Sequence, residues 1–275
     1  MKTINIDTQE NVELVLFPDN STHVKVKILS GEDVRVIVSL CLPQRLMQLM
    51  QVANAVKHTG ANCSELFITY LAGARYDRII EHGDSIDTEV MAACINQCGF
   101  DKVFVFDPHS KAAVKDILNY EEVGIEILLD KLNVSDFDIM LFPDKGAYER
   151  YGSVLERYLL QADVVWCTKT RDSVTHKPVV IVPNPEQFIK DKRVLIIDDI
   201  CDGGGTFASI ADQIDAANIS LVVSHGIFSS GLRPLDKIDL IVTTNSYMGF
   251  STDSLQVMRY DIAHLFNQRR DSQCP

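Results

Sequence analysis

The chain has 275 residues, enough for two medium domains with cores of their own, and its 46% hydrophobic and 23% charged content excludes a disordered chain. A formal net charge of −12 argues against a nucleic-acid surface, so a polyanionic ligand would need a local basic cluster or a divalent cation. No apolar run reaches the length of a membrane span and the first ten residues lack an apolar signal core, which predicts a cytoplasmic protein.

Residues 12–17 and 23–28 read as short strands around F-P-D-N-S-T, and residues 34–40 as another. Pro43 then starts a helix whose Leu46, Leu49, Met50, Ala53 and Val56 share one apolar face, ending near Gly60. Residues 66–71 are a strand running into A-G-A-R-Y-D-R; taken alone, such an Arg-x-Asp-Arg loop is a solvated ion-pair cluster. A helix over 85–99 follows, carrying Cys94 and Cys98 at i, i+4, a pair that reads as core packing rather than a metal site. The seven cysteines have no framework spacing and are read as reduced thiols. Strand 102–107 leads to F-D-P-H-S, strand 138–142 to P-D-K-G-A-Y-E-R, and strand 163–167 to T-K-T-R-D.

Residues 178–182 and 193–197 are further strands, the second an apolar, β-branched run of the kind buried in a parallel sheet. It ends in D-D-I-C-D-G-G-G-T, where a helical pattern opens at Thr206 and runs to about residue 218. Strand, glycine turn and helix start together make an anion cradle, because glycine lets backbone N–H groups approach a phosphate and the helix start adds partial positive charge. Asp198, Asp199 and Asp202 would repel one another there unless cations or sugar hydroxyls occupy the site. Neither G-x-x-x-x-G-K-[ST] nor G-x-G-x-x-G occurs. Strands at 221–228 (S-H-G-I-F-S) and 240–246 (I-V-T-T-N-S) and a helix over 261–268 close the chain.

D-D-I-C-D-G-G-G-T resembles the phosphoribosyl diphosphate binding motif shared by type I phosphoribosyltransferases and ribose-phosphate pyrophosphokinases. A-R-Y-D-R and K-T-R separate the two, because they resemble the segments with which the pyrophosphokinases face ATP. With strands and helices alternating, the resemblance implies an α/β fold of two doubly wound parallel-sheet domains, over 1–130 (ATP side) and 131–275, with the last helix packing back on the first.

The implied activity is transfer of the β,γ-diphosphoryl group of ATP to the C1 hydroxyl of ribose 5-phosphate, with Mg2+ as cofactor. In that resemblance Lys169 and Arg171 are the catalytic pair. Phe17, Asp19, Arg75, Tyr76, Asp77 and His109 bind ATP, the first two offered to a neighbouring subunit of a homodimer or hexamer. His109 and Asp144 hold the metal, and Asp198, Asp199, Asp202, Gly203, Gly204, Gly205 and Thr206 bind the ribose phosphate.

Besides Tyr76, which stands where the family has glutamine, the chain departs from the family pattern in three places. F-P-D-N-S-T lacks the glycine and glutamate of F-S-[DN]-G-E, I-I-E-H-G-D-S lacks the basic loop that receives allosteric phosphates, and Gly203 replaces the first threonine of D-T-G-G-T. The last change removes a hydroxyl and is expected to open room beside the phosphate, which raises ADP-ribose as an alternative acceptor. A phosphoribosyltransferase and a non-catalytic regulatory subunit are the competing readings.

Overall fold

The computed structural model describes residues 1–158, 162–171 and 178–273; the side chains at 169–171, 178–179 and 271–273 lie outside that description. The chain divides into two units, Met1–Gly124 with Ser246–Gly249, and Ile125–Asn245 with Phe250–Pro275.

The first unit begins with β1 (Lys2–Asn5), an antiparallel hairpin of β2 (Val12–Leu16) and β3 (Thr22–Val26), and β4 (Asp33–Ser39). Helix α1 (Pro43–His58) leads to β5 (Asn62–Tyr70), and α2 (Asp87–Cys98) to β6 (Lys102–Phe106) and β7 (Tyr120–Val123). The five strands form one parallel sheet in the order β1-β4-β5-β6-β7. Alternation along β4 sends Val34, Val36 and Val38 to the core that also holds Leu49, Val52 and Val56 of α1. Each such side chain contributes roughly 1.5–3 kcal/mol of burial. Pro43 sits in the first turn of α1, where its missing N–H is not needed, and α2 stops at Gly99, whose φ of 68° favours glycine. The segment 246–249 is fastened to this unit: the Ser39 hydroxyl donates to the Ser246 carbonyl at 2.6 Å, and Tyr247 meets Tyr70 edge-on at 5.4 Å.

The second unit runs α3 (Glu126–Leu129), β8 (Ile139–Phe142), α4 (Lys145–Glu156), β9 (Asp163–Trp166), β10 (Thr168–Arg171), β11 (Pro178–Ile181) and α5 (Pro185–Phe188). It continues with β12 (Arg193–Cys201), α6 (Gly205–Ala211), β13 (Asn218–Gly226), β14 (Leu240–Thr244), β15 (Val257–Tyr260) and α7 (Ile262–Gln273). Six of these strands make a parallel sheet in the order β15-β14-β13-β12-β8-β9, while β10 and β11 pair antiparallel as a separate hairpin. Its central strand is apolar on both faces. Val194 and Ile196 enter one core with Phe207 and Ile210 of α6, and Leu195 and Ile197 enter another with Ala147, Tyr151 and Leu155 of α4.

The structure differs from the sequence expectation in two elements of this unit. Helix α6 is seven residues long and ends at Ala211; just beyond it the Gln213 side-chain amide turns back to the Ser209 and Val180 carbonyls. Residues 168–171 are a strand of the β10–β11 hairpin rather than an open loop. Helix α7 lies in the second unit, where Arg269 reaches Glu126 of α3 at 3.0 Å; the two units divide after Gly124.

Candidate functional site

From β8 the second sheet grows one way, to β9; from β12 it grows the other way, through β13 and β14 to β15. The strand order therefore reverses between β8 and β12, and such a switch point leaves a crevice beyond the carboxyl ends of the two strands. The first sheet runs through β1, β4, β5, β6 and β7 in chain order and has no reversal. Sheet topology thus marks a crevice of this kind in the second unit.

Acidic side chains line that crevice. Asp144 follows β8, Asp198 and Asp199 lie in the last residues of β12, and Asp202 comes just after it. Asp144 caps α4, its Oδ1 accepting from the Ala147 N–H at 2.9 Å. Asp199 is almost wholly buried, and its Oδ2 lies 3.4 Å from Nη1 of Arg150, whose guanidinium also covers the Tyr151 ring at 4.9 Å. Asp198 keeps partial solvent exposure, but the atoms packed round its carboxyl desolvate it. That burial, then the neighbouring Asp199 and, further off, Asp144, push its carboxyl well above the ordinary carboxylate range. A bound cation or a pair of sugar hydroxyls would relieve this crowding of negative charge.

The glycine turn follows. Gly204 has a φ of 79°, and a Cβ there would meet Leu235 Cδ2 at 3.1 Å, so glycine is needed on both counts. Gly205 faces open space, with nothing within 4 Å of where its Cβ would be. Beside Gly203 the expected room is taken up: Ser230 Oγ lies 3.3 Å and Ser229 Oγ 3.9 Å from the position of a Cβ. The loop after β13 is laced to the turn. Ile227 and Phe228 both donate N–H to the Cys201 carbonyl, and the Ser229 N–H and hydroxyl donate to the Asp202 carbonyl and Oδ1, at 3.2 and 2.6 Å. Thr206 lies within α6. Cys201 is fully buried, and burial with Asp198 and Asp202 pushes its thiol up to about 12, which removes it as a nucleophile.

In the first unit, A-R-Y-D-R and F-D-P-H-S follow the paired strands β5 and β6 at their carboxyl ends. The Ser110 hydroxyl donates to Asp77 Oδ2 at 2.7 Å and Arg78 Nε to Oδ1 at 2.8 Å, so Asp77 ties the two loops together. Burial raises the Asp77 carboxyl, but the Ser110 hydroxyl and Arg78 outweigh it and hold the group below its usual range. Arg75, Tyr76 and His109 are exposed on these loops. Phe17 and Asp19 sit apart in sequence and fold, on the β2–β3 turn, where Asp19 Oδ1 accepts from the Ser21 N–H and hydroxyl. That hairpin packs on α1 through Thr22 and Gln51. Lys169 and Arg171 have their backbone on β10, opposite Val180 and Pro178 of β11; their side chains are outside the described residues.

Among the described residues no group of three or more His, Cys, Asp or Glu side chains forms a metal cage. Magnesium does not require one, since it binds through one or two carboxylates and substrate phosphates, and the oxygen donors at the switch point suit it. His109, the other expected ligand, lies exposed on the loop after β6 in the first unit.

Sequence reasoning passed over Arg150 and Ser230. The signal for Arg150 is present as the final residue of P-D-K-G-A-Y-E-R, about 1.7 helical turns beyond Asp144. For Ser230 there was none, because its place beside Gly203 depends on the register of β13 against β12.

The N-terminal domain of ribose phosphate pyrophosphokinase matches residues 2–99 as a family model. Over 253 residues the chain is 32% identical to the ribose-phosphate pyrophosphokinase of Pyrococcus abyssi (strain GE5 / Orsay), covering 86% of this chain and 84% of the relative. It is 29% identical over 251 residues to that of Pyrococcus furiosus (strain ATCC 43587 / DSM 3638 / JCM 8422 / Vc1), covering 86% of each. Among solved structures it is similar to the phosphoribosylpyrophosphate synthetase from Mycobacterium smegmatis, with a TM-score of 0.76 over 95% of this chain and 89% of that one. At 19% identity, that likeness is one of fold.

Proposed function

The chain belongs to the ribose-phosphate pyrophosphokinase family, and on that premise we propose that it joins ATP and ribose 5-phosphate to give phosphoribosyl diphosphate and AMP. The observation that carries this reading is the reversal of strand order between β8 and β12, with Asp144, Asp198, Asp199 and Asp202 and the glycine turn at its mouth. The anomeric oxygen would bond to the β-phosphorus of ATP while the bond from that phosphorus to the α–β bridging oxygen breaks. AMP leaves with the bridging oxygen, and the hydroxyl proton passes to solvent. Such a step depends on in-line placement and charge neutralisation more than on covalent catalysis.

In this reading residues 203–206 cradle the 5-phosphate, and Asp198, Asp199 and Asp202 accept the ribose hydroxyls. Arg75, Tyr76 and Asp77 seat ATP, Asp77 by fixing its loop, and His109 steadies the phosphates. Phe17 and Asp19 are offered to a second copy, in a homodimer or hexamer. Lys169 and Arg171 neutralise charge on the transferring group. Magnesium, with His109 and Asp144 as its expected ligands, would neutralise phosphate charge and orient the diphosphate when bound. Among the described residues no helix is long and apolar enough to cross a membrane, in keeping with a cytoplasmic site of action.

A second reading keeps the chemistry and changes the acceptor to ADP-ribose, as in NAD salvage. What favours it is the open space beside Gly205, which leaves room for a substituent on the 5-phosphate. Assay of AMP release from ATP and magnesium with no sugar, ribose 5-phosphate or ADP-ribose separates the readings. AMP formed only with a sugar supports a pyrophosphokinase and names its acceptor. No AMP under any condition would point to a phosphoribosyltransferase or a non-catalytic subunit.

A further inference from the structure

We propose that Ser230 is a phosphate-binding residue of the cradle, its hydroxyl supplying the contact that Gly203, lacking a side chain, cannot make. This rests on the reading of residues 203–206 as the seat of the sugar phosphate.

The hydroxyl overhangs the turn: Ser230 Oγ is 3.3 Å from the position a Cβ on Gly203 would take. Its loop is held there by several independent bonds. The Cys201 carbonyl accepts from both Ile227 and Phe228, and the Asp202 carbonyl accepts from Ser229 at 3.2 Å. Gly231, at a φ of 69°, folds its N–H back to the Phe228 carbonyl at 2.8 Å and closes the turn around Ser230. Between the two serines the division of labour is clear. The Ser229 hydroxyl is committed to Asp202 Oδ1 at 2.6 Å, whereas the Ser230 side chain is exposed and its hydroxyl has no partner among the described residues.

A serine hydroxyl rotates freely and can donate to an ionised phosphate oxygen, a charge-assisted bond stronger than a neutral one. Sterically, a side chain at 203 and the hydroxyl at 230 compete for one place, since 3.3 Å is tighter than ordinary contact. One hydroxyl, from either position, fits there. A side chain at 203 and the hydroxyl of Ser230 are therefore alternatives for one place.

The test is a cycle of Ser230→Ala, Gly203→Thr and Gly203→Thr with Ser230→Gly, each checked for thermal unfolding. Ribose 5-phosphate and ADP-ribose are the probes, by calorimetric Kd and by KM alongside the KM for ATP. Ser230→Ala should weaken the sugar that wild type uses about tenfold and leave the KM for ATP within about twofold. Gly203→Thr alone should be at least as impaired, and the paired change should recover to within about threefold of wild type. An unchanged sugar affinity in Ser230→Ala, or a paired variant no better than Gly203→Thr alone, overturns the proposal. Wild type that binds a sugar phosphate without turning it over would remove the proposed reaction, while the Kd cycle still decides Ser230. Wild type that binds neither sugar overturns both.

Discussion

Arg150 on α4 meets Asp199 on β12, Nη1 to Oδ2 at 3.4 Å, with both side chains largely withdrawn from solvent. The contact bridges the two strands that flank the switch point, because α4 follows β8 directly. It gives the acidic crevice a cation supplied by the protein itself. A buried charge that loses its partner costs more than the pair contributes, so the effect of removing Arg150 should reach the sugar site. Arg150→Gln should raise the KM for the sugar phosphate by about tenfold with the KM for ATP within about twofold, and Arg150→Lys should recover part of the loss. Steady-state kinetics on folded variants checks it; equal changes in both KM values would reduce Arg150 to a packing role.

Lys169 and Arg171 stand two apart on β10, the spacing that puts two positions on one face of a strand. If both meet charge that develops in the transition state, alanine at either should lower kcat by about 10²-fold or more while ATP binding persists. Rapid-quench turnover with calorimetric ATP affinity separates these effects. Near-wild-type turnover in both variants would remove the pair from the mechanism.

Asp7 lies just beyond β1, its Oδ2 accepting the Ser39 N–H at 2.8 Å and its Oδ1 3.7 Å from Arg45 Nε. Burial, against the pull of Arg45 and Ser39, raises its carboxyl to about 6. The folded state therefore holds this proton more tightly than the unfolded chain. Its contribution is complete below the ordinary carboxylate pKa near 4 and is lost as pH rises through about 6. The shift corresponds to about 3 kcal/mol. Asp7→Asn should flatten the fall in Tm of the first unit between pH 4.5 and 7.5 by about 5 °C. Parallel Tm profiles for the two proteins would contradict the assignment.

Gly204 carries the backbone strain of the cradle. Gly204→Ala should cost about 1–3 kcal/mol of stability through its positive φ and the contact with Leu235. Gly205→Ala, which meets nothing, should leave stability nearly unchanged and instead weaken the sugar. Denaturant unfolding of the two variants measures the contrast, and equal destabilisation would contradict it.

Much of this architecture is legible from local pattern. The run Val194–Leu195–Ile196–Ile197 could only be a strand buried on both faces, and Pro43 with its periodic apolar face could only open a helix. Short blocks in a fixed order along the chain carry the family resemblance. What pattern could not supply is register and side-chain reach. Arg150 and Asp199 are separated by β9 to β11 and meet only because β8 and β12 are neighbours. Ser230 stands over Gly203 only because the β13 exit is bonded to Cys201 and Asp202. The polar sequence T-K-T-R gave no apolar alternation to mark β10, whose partner β11 decides its conformation.

The proposed reaction is tested most directly by one assay: AMP released from ATP in the presence of magnesium, with ribose 5-phosphate, with ADP-ribose, and with neither. It predicts AMP in step with consumption of a sugar phosphate, matched by a new diphosphate at C1 in the 31P spectrum, and none without sugar. Wild-type protein that binds ATP and a sugar phosphate yet releases no AMP with either acceptor would contradict it.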